Sequence, residues 1–482
     1  MKKLICLLSI FLLFSGCIQD ASKVEEIDGR FGVDGANPKA VSWISELGDG
    51  VSGVNMVTWE MIEPYPPKNG KHFYNFSAAD KLVKTFQRYG RRLQLNIRCI
   101  SHWATLSDNS SKREVSSPPK PEYWDDYENF IYELVERYDG DGYKDMPDLK
   151  LPIIYYQIES EPHQLFKGTA KDYVNLLKRA YIGAKRANPN VIIMAAGWNV
   201  GDLFVDNPSP ETVEKRIHSS PIIEKRYEFI LYVLENGKDY FDVLTIHPNS
   251  YYTGTQGTVE YFKKIMREFG YQKPIWADDM ASGFLESSVF LKNPIPEDAE
   301  EIHDILKNPE DPRYIPTLKR YESEQSKLLI KKLAIGFYVG LEKIFVSTDV
   351  DWINYYLDDW KHQGLIYINP ENPKIHHKKP AFYTYKLAIE KLNYFESVER
   401  IDLGEGVHCY KFTFSNKKPV FVVWSDSQKR KINLKTYIPS QNVKIIHIIT
   451  ELDDKENPII LPDEIVSTDS IEIDETPIFV EY

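Results

Sequence analysis

Apolar and polar positions follow two alternating periods along residues 29–392. Short apolar runs of strand length recur, and segments with apolar residues at helical spacing lie between them. The runs predict strands at residues 31–33, 51–57, 93–97, 153–158, 191–196, 243–246, 275–277 and 343–347. The segments between them predict helices at residues 78–89, 123–138, 170–187, 223–235, 258–269 and 322–339. This α/β alternation predicts a (β/α)8 TIM barrel over residues 29–392.

The sequence at the two ends of residues 29–392 helps to distinguish this fold from alternatives. A doubly wound open sheet would show the same alternation, but it usually carries a glycine-rich phosphate turn after its first strand. The turn at residues 32–35 reads Gly-Val-Asp-Gly and lacks that pattern. Beyond residue 392 the helical period stops, and short strands separated by turn residues follow. Residues 393–482 therefore predict a small all-β, sandwich-like C-terminal domain.

The N-terminus has the pattern of an export signal. Lysines at positions 2 and 3 precede an apolar run at residues 4–14, which is too short to span a bilayer. Small residues directly before Cys17 resemble a bacterial lipobox, so we expect a signal peptide over residues 1–16 and lipidation of Cys17. Residues 17–28 would form a polar tether, and the protein would be exported and anchored to the cell membrane, facing outside the cytoplasm. An ordinary secretory signal cleaved nearby is the alternative.

Charge and cysteine content narrow the function classes. The net charge is -12, which disfavours a nucleic-acid partner because binding phosphates needs a basic face. Apart from Cys6 in the predicted signal peptide and Cys17 at the predicted lipid site, only Cys99 and Cys409 remain. They lie in different predicted domains, so neither a disulfide framework nor a cysteine metal site is implied. No dinucleotide or haem motif stands out, and we expect no required cofactor.

The ends of the predicted strands carry the candidate chemistry. In a barrel of parallel strands the carboxyl ends meet at one mouth. The residues that we expect to bind substrate there are Trp59, Glu60, Arg98, His102, Trp103, Ser160, His163, Trp198, His247, Tyr251 and Trp352. Two carboxylates beside aromatic faces are what glycoside hydrolysis requires. Taken singly, each tryptophan is as well explained as a core residue, Arg98 as a structural ion-pair partner and His247 as a hydrogen-bonding residue.

The end of the fourth strand is the most informative segment. Strand alternation would place Gln157, Glu159 and Glu161 on one face. Three polar side chains on one face of a buried strand are costly unless that face lines a site. The alternative is a strand end that reaches solvent.

Several of these segments together resemble the clan A glycoside hydrolases, nearest to families 39 and 5. The segments are Trp59-Glu60-Met61-Ile62-Glu63-Pro64, Glu159-Ser160-Glu161-Pro162, Asp242-Val243-Leu244-Thr245-Ile246-His247, Lys379-Pro380-Ala381-Phe382-Tyr383 and Val422-Val423-Trp424-Ser425. By this resemblance Glu161 matches the general acid/base and Asp279 lies where the nucleophile is expected. His247 and Tyr251 would line the site, and an oligo- or polysaccharide would be the substrate.

The chain departs from that family at positions that matter for activity. Ser160 stands where the family usually has an asparagine that binds the sugar 2-hydroxyl, Asp279 where it has a glutamate, and Val346 where a tryptophan is common. The shorter carboxylate at position 279 is withdrawn by about 1–1.5 Å. Two hypotheses therefore remain: a surface-anchored glycoside hydrolase and a catalytically degenerate carbohydrate-binding lipoprotein.

An acidic loop precedes the fourth strand. Asp139, Asp141, Asp145 and Asp148 are closely spaced with two glycines at the end of a predicted helix, a composition that suits a hard cation such as Ca²⁺. Arg137 occupies the first position of an EF-hand template, where an acid is needed, so a true EF-hand is disfavoured. We therefore expect either a structural Ca²⁺ site or a solvated acidic turn.

Overall fold

The fold was analysed in a computed structural model. The structure describes residues 29–35, 38–107, 115–205, 207–249, 251–281, 299–351, 362–369, 376–426 and 429–482. The predicted signal peptide, Cys17, the tether and Trp352 lie outside these residues.

Eight parallel strands close into a barrel in sequence order, β1 to β8. The strands are β1 (Phe31–Asp34), β2 (Ser52–Thr58), β3 (Leu93–Arg98), β4 (Tyr155–Ile158), β5 (Ile192–Trp198), β6 (Val243–Ile246), β7 (Ile275–Ala281) and β8 (Leu341–Ser347). Closure is completed by β8, which pairs with β1 in the register Phe31 to Ile344. The predicted (β/α)8 barrel is confirmed.

Helices surround the barrel. They are α1 (Val41–Ser45), α2 (Trp59–Ile62), α3 (Ser77–Arg88), α4 (Trp124–Glu136), α5 (Pro162–Leu165), α6 (Ala170–Ala187), α7 (Pro210–Ile217), α8 (Pro221–Asn236), α9 (Tyr252–Glu268), α10 (Ala299–Leu306), α11 (Tyr314–Tyr338) and α12 (Pro380–Leu392). Their starts follow from local sequence. Thr169 and Asp172 form a capping box at α6, and Ser220 caps α8 with proline at its first position.

The barrel interior differs between its two ends. The amino-terminal end is filled by large apolar side chains, namely Val54, Tyr155, Met194, Val243, Trp276 and Phe345. Farther along the strands the inward positions become polar, as in the hydrogen bond of 3.2 Å from Gln94 Nε2 on β3 to Gln157 Oε1 on β4. The apolar side chains therefore close the amino-terminal end of the barrel, and the carboxyl ends of the strands form its open mouth.

The C-terminal residues form antiparallel β structure, as predicted. A six-stranded sheet has the order β11 (Ser397–Arg400), β12 (Val407–Thr413), β13 (Val420–Ser425), β18 (Ile478–Glu481), β15 (Asn442–His447) and β16 (Glu464–Ser467). Within the same C-terminal residues β14 (Arg430–Ile432) pairs with β17 (Ile471–Ile473). A separate short pair, β9 (Ile366–Ile368) with β10 (His376–Lys378), precedes α12 and was not predicted. One face of the large sheet, including Phe412 and Trp424, joins the core of the barrel helices. The other face, including Phe421 and Val423, packs beneath β14 and β17.

Polar contacts also join the sheet to the barrel. Thr384 on α12 exchanges two hydrogen bonds with the backbone of Ile449, and the hydroxyl of Tyr252 on α9 donates to Asp426 at 2.7 Å. His408 Nε2 lies 2.6 Å from the same Asp426 carboxylate. The β domain is therefore fixed to the helix that follows β6. Within the described residues no helix has the length and apolarity needed to cross a bilayer.

Candidate active site

The chain after β4 enters the left-handed region twice, at Glu159 (φ 66°) and Glu161 (φ 46°). This conformation is strained for residues other than glycine, so the surrounding contacts must hold it. The N–H of Glu159 donates to Ile97 O on β3, and that of Glu161 donates to Ala196 O on β5, each at 2.9 Å. The two side chains therefore diverge. The expectation that they share one strand face is wrong, because strand geometry ends at Ile158.

Glu159 turns toward β3 into a closed set of donors. Its carboxylate lies 2.9 Å from Arg98 Nε and accepts from Ser116 Oγ and the backbone N–H of Cys99, each at 2.6 Å. The residue is 1% exposed. Arg98 and Glu159 thus form a buried ion pair, and the predicted substrate-binding role of Arg98 gives way to a structural one.

Glu161 turns toward β5 and β6 and remains partly open to solvent. Its Oε1 accepts from Asn199 Nδ2 at 3.1 Å and lies 2.8 Å from His247 Nδ1, while Oε2 accepts from Gln164 Nε2 at 3.3 Å. Desolvation alone would raise the pKa of Glu161, but the hydrogen bond and charge of His247 lower it to about 2. Glu161 therefore rests as a carboxylate.

His247, directly after β6, lies beneath the mouth among carboxylates. Its Nδ1 faces Glu161, its Nε2 lies 3.5 Å from Asp278 Oδ1, and Nδ1 is also 3.7 Å from Asp279 Oδ2. Burial would lower the pKa of His247, but Asp278 and Asp279 raise it well above its usual value. The ring is therefore charged at neutral pH.

Gly197 makes room for this histidine. It lies on β5 with φ of 67°, and a Cβ at this position would lie 2.3 Å from His247 Nε2. Its N–H donates to Thr245 Oγ1 on β6 at 2.7 Å. Both the conformation and the clearance require glycine here.

Two further carboxylates come from β7, and a third from β1. A register shift between Ala277 and Met280 interrupts the pairing of β7 with β8 at Asp278 and Asp279. Desolvation, Asp279 and Asp278 raise the pKa of Asp34 well above its usual value. Desolvation also raises the pKa of Asp279, against the charge of His247. The mouth thus holds more carboxyl groups than His247 could neutralise if all of them were ionised, which raises the pKa of Asp34 and Asp279 together with burial.

Exposure separates the groups that a substrate can reach from those beneath them. The side chains of Glu161 and Asp279 are 20% and 17% exposed, whereas those of His247 and Asp278 are each 4% exposed. Glu161 Oε1 and Asp279 Oδ2 both lie close to His247 Nδ1, so these two oxygens can be at most about 6.5 Å apart. Two partly exposed carboxyl groups thus lie near each other beside His247.

The predicted substrate-binding role of three tryptophans is wrong, because their side chains are buried. Trp59 and Trp198 are fully buried and belong to the hydrophobic core, so neither indole can stack on a sugar. Trp103 is 8% exposed, packs edge-on against Trp59 and donates from Nε1 to Glu63 O. All three indoles therefore pack in the hydrophobic core next to the mouth.

The remaining predicted residues lie around the mouth. Glu60 and His102 form an exposed pair with 2.7 Å between Oε1 and Nδ1. His163 is buried, with Nε2 3.1 Å from Asn199 O, and burial lowers its pKa to about 4. Ser160 is partly exposed, and the ring of Tyr251 packs 4.7 Å from that of Tyr252. Val346 faces the core rather than the barrel interior.

Sequence reasoning missed Asp34, Gly197, Asn199 and Gln164. Asp34 is the last residue of β1, so it lies at the same end of the barrel as the other carboxylates, and the sequence could have indicated it. The clearance at Gly197 depends on a neighbouring strand and leaves no local signal.

The acidic loop brings together three of its four predicted ligands. Oxygens of Asp139, Asp141 and Asp145 lie within 4.8 Å of one another, whereas Asp148 is not part of this group. Asp139 is 7% exposed, and its Oδ2 is a buried oxygen with no hydrogen-bond partner. Burial, together with Asp141 and Asp145, raises the pKa of Asp139 to about 7, although a backbone N–H opposes this.

The fold is similar to those of solved glycoside hydrolases. A family 39 glycoside hydrolase from the gut symbiont Bacteroides cellulosilyticus WH2 is 14% identical, with a TM-score of 0.59 over 94% of this chain and 80% of its own. A family 39 β-xylosidase from Caulobacter crescentus is 12% identical, with a TM-score of 0.54 over 94% and 95%. A family 30 endoxylanase from Clostridium papyrosolvens C71 is 13% identical, with a TM-score of 0.51 over 94% and 96%.

These similarities confirm the expected resemblance to clan A glycoside hydrolases at the level of the fold. No protein-family model matches the chain, and no curated protein matches it in sequence. What the site does must therefore be argued from its own residues.

Proposed function

We propose that the protein is a glycoside hydrolase that cleaves O-glycosidic bonds in an oligo- or polysaccharide with Glu161 and Asp279. The observation that carries the proposal is the pair of accessible carboxyls beside one charged histidine at the carboxyl end of the barrel. The β-xylosidase and the endoxylanase with a similar fold favour xylan and xylo-oligosaccharides as the first substrates to test. The chemistry needs no organic cofactor.

Retention of configuration fits this spacing. Inverting enzymes place their carboxyls about 6.5–9.5 Å apart and retaining enzymes about 5–5.5 Å. The oxygens of Glu161 and Asp279 that face His247 are at most about 6.5 Å apart, which is the lower limit of the inverting range and therefore favours retention. Asp279 would attack the sugar carbon, and Glu161 would protonate the leaving oxygen.

The experiment is hydrolysis of aryl glycosides and polysaccharides by the chain that starts after residue 17, followed by NMR. We expect sugar release with the substrate's anomeric configuration in the first product, and loss of release in Asp279→Asn. The opposite first anomer would assign Asp279 as a base rather than a nucleophile. No release by folded protein across the set would overturn the proposal.

A carbohydrate-binding protein without turnover is the second candidate. The shorter Asp279 and the replacement of asparagine by Ser160 favour it, because each removes a group that the transition state would use. Glycan binding measured by calorimetry, together with absent release in the NMR experiment, would support this reading.

The acidic loop is proposed as a Ca²⁺ site held by Asp139, Asp141 and Asp145. The unpartnered Oδ2 of Asp139 and its raised pKa support this, since a cation would satisfy both. At Ca²⁺ a hundredfold above its Kd the protein should gain about 2.7 kcal/mol over the EDTA-treated protein in chemical unfolding. Asp141→Asn should lose this gain, and Asp148→Asn, outside the group, should keep it. No gain in the unmodified chain would remove the site.

Membrane anchoring through lipid at Cys17 is proposed from the lipobox-like segment alone. Expression of the full chain in bacteria should place it in the membrane fraction, and Cys17→Ser should release it from that fraction. Equal partition of the two forms would contradict the anchor.

A further inference from the structure

We infer that Asp278 is a positioning residue that acts on Glu161 through His247, and that the proton delivered to the leaving group rests on His247. This inference depends on the proposed hydrolysis. Its first support is geometry: each ring nitrogen of His247 faces a different carboxylate, Nδ1 at 2.8 Å from Glu161 and Nε2 at 3.5 Å from Asp278. The doubly protonated ring donates from Nδ1 to Glu161 and places its positive charge beside Asp278, whose buried Oδ1 has no hydrogen-bond partner among the described residues.

The second support is the hydrogen-bonding of Glu161. An acid that protonates a leaving group must carry a proton, yet the oxygens of Glu161 already face three donors. Two of these donors are the amides of Asn199 and Gln164, which do not give up protons. The acidic hydrogen beside Glu161 is therefore the one on His247 Nδ1.

The third support is the charge around the ring. The titratable groups that face His247 are Asp34 on β1, Glu161 and His163 after β4, and Asp278 and Asp279 on β7. His163 is neutral at neutral pH because burial lowers its pKa. Four carboxyl groups thus surround one cation, and they hold the proton on the ring. Asp278 is the carboxylate that is least exposed and closest to Nε2.

The proton can be followed through both halves of the reaction. The Nδ1–H bond of His247 breaks as a proton moves to Glu161, which passes a proton to the glycosidic oxygen while Asp279 bonds to the sugar carbon. The carbon–oxygen bond breaks with its electron pair on the leaving oxygen, and His247 is left neutral. Water then attacks the sugar carbon, its proton returns through Glu161 to His247, and the Asp279 ester opens.

Asp278→Asn tests the inference because it keeps the size of the side chain and removes its charge. In nitrogen NMR of the histidines, with His247→Gln for assignment, the pKa of His247 should fall by about 1 unit or more. Asp242→Asn is the matched control, since Asp242 precedes the other end of β6 and pairs with Lys185. It should leave His247 unchanged. This readout requires no turnover. An unmodified His247 that titrates at its ordinary value, or one that Asp278→Asn does not move, overturns the inference.

The leaving-group dependence gives the catalytic readout. Asp278→Asn should slow glycosides of poor leaving groups by about tenfold or more, leave dinitrophenyl glycosides nearly unchanged and move the alkaline limb of the pH profile to lower pH. Asp278→Glu should restore part of the loss. Equal slowing of all substrates without a shift of the limb would mean a merely structural role. A shifted His247 pKa in a protein that hydrolyses nothing would instead refute the proposed function.

Discussion

Two glutamates that are two residues apart, Glu159 and Glu161, occupy opposite kinds of environment. Glu159 has a guanidinium, a hydroxyl and a backbone N–H around it and almost no exposed surface. Glu161 shares one histidine with three aspartates and keeps a fifth of its side chain exposed. The difference teaches that a buried acid with a full set of partners is part of the fold, because removing one partner leaves the other charge buried without compensation. An acid in a cluster with excess charge is instead suited to chemistry.

The largest expected effect is the loss of catalytic activity in Glu161→Gln, which should distinguish Glu161 from Glu159. Glu161→Gln should lower kcat/KM for glycosides of poor leaving groups by about 10²–10⁴, because the proton path to the leaving oxygen is cut. Its Tm should stay close to that of the unmodified protein, since the amide keeps the volume and an acceptor for His247. Unchanged turnover would remove Glu161 from the mechanism.

Glu159→Gln should instead lower stability and leave the pH dependence of catalysis unchanged. Removing the charge leaves Arg98 buried without its counter-ion, which should cost about 3–5 kcal/mol in the free energy of unfolding measured by urea denaturation. Folded Glu159→Gln protein should retain its pH profile, because Glu159 faces β3, where its carboxylate contacts Arg98, Ser116 and the backbone of Cys99. If stability were unaffected, the Arg98 pair would not be structural.

Gly197→Ala tests the surroundings of Glu161 separately from those of Glu159, because the added methyl group would displace His247. The added Cβ would fall 2.3 Å from His247 Nε2, so the ring must move by an ångström or more. Displacements of this size cost about 10²-fold in rate, and kcat should fall accordingly. The far-ultraviolet circular dichroism spectrum should match that of the unmodified protein. Full activity would show that the position of His247 is unimportant.

The smallest effect is a gain in stability from Asp34→Asn. The raised pKa of Asp34 means that its carboxyl stabilises the fold fully below its unfolded pKa of about 3.9, and that this contribution is lost as pH rises through the folded pKa. The amide carries no charge at any pH, so Tm near pH 7 should rise by about 1–3 °C and fall less steeply with pH above 4. A lower Tm at neutral pH would contradict the excess negative charge assigned to the mouth.

The sequence was a better guide to the barrel than to the side chains at its mouth. Strand and helix periods reflect which faces are buried, and barrel closure then brings Glu161 and Asp279 together. Burial of Trp59 and Trp198 could not be foreseen, because an indole at a strand end suits a core or a sugar equally. The left-handed turn at Glu161 depends on a hydrogen bond to β5, a tertiary contact that no local residue pattern encodes.

The most direct test of the two-carboxylate account is to trap the sugar on the enzyme. The chain after residue 17 would be incubated with activated 2-deoxy-2-fluoro glycosides of the sugars it releases, or of the full set if it releases none, and the labelled peptide would be identified by mass spectrometry. The account predicts a covalent sugar on Asp279 and none on Glu161 or Glu159. Labelling of another carboxylate, or no labelling by any glycoside, would contradict it.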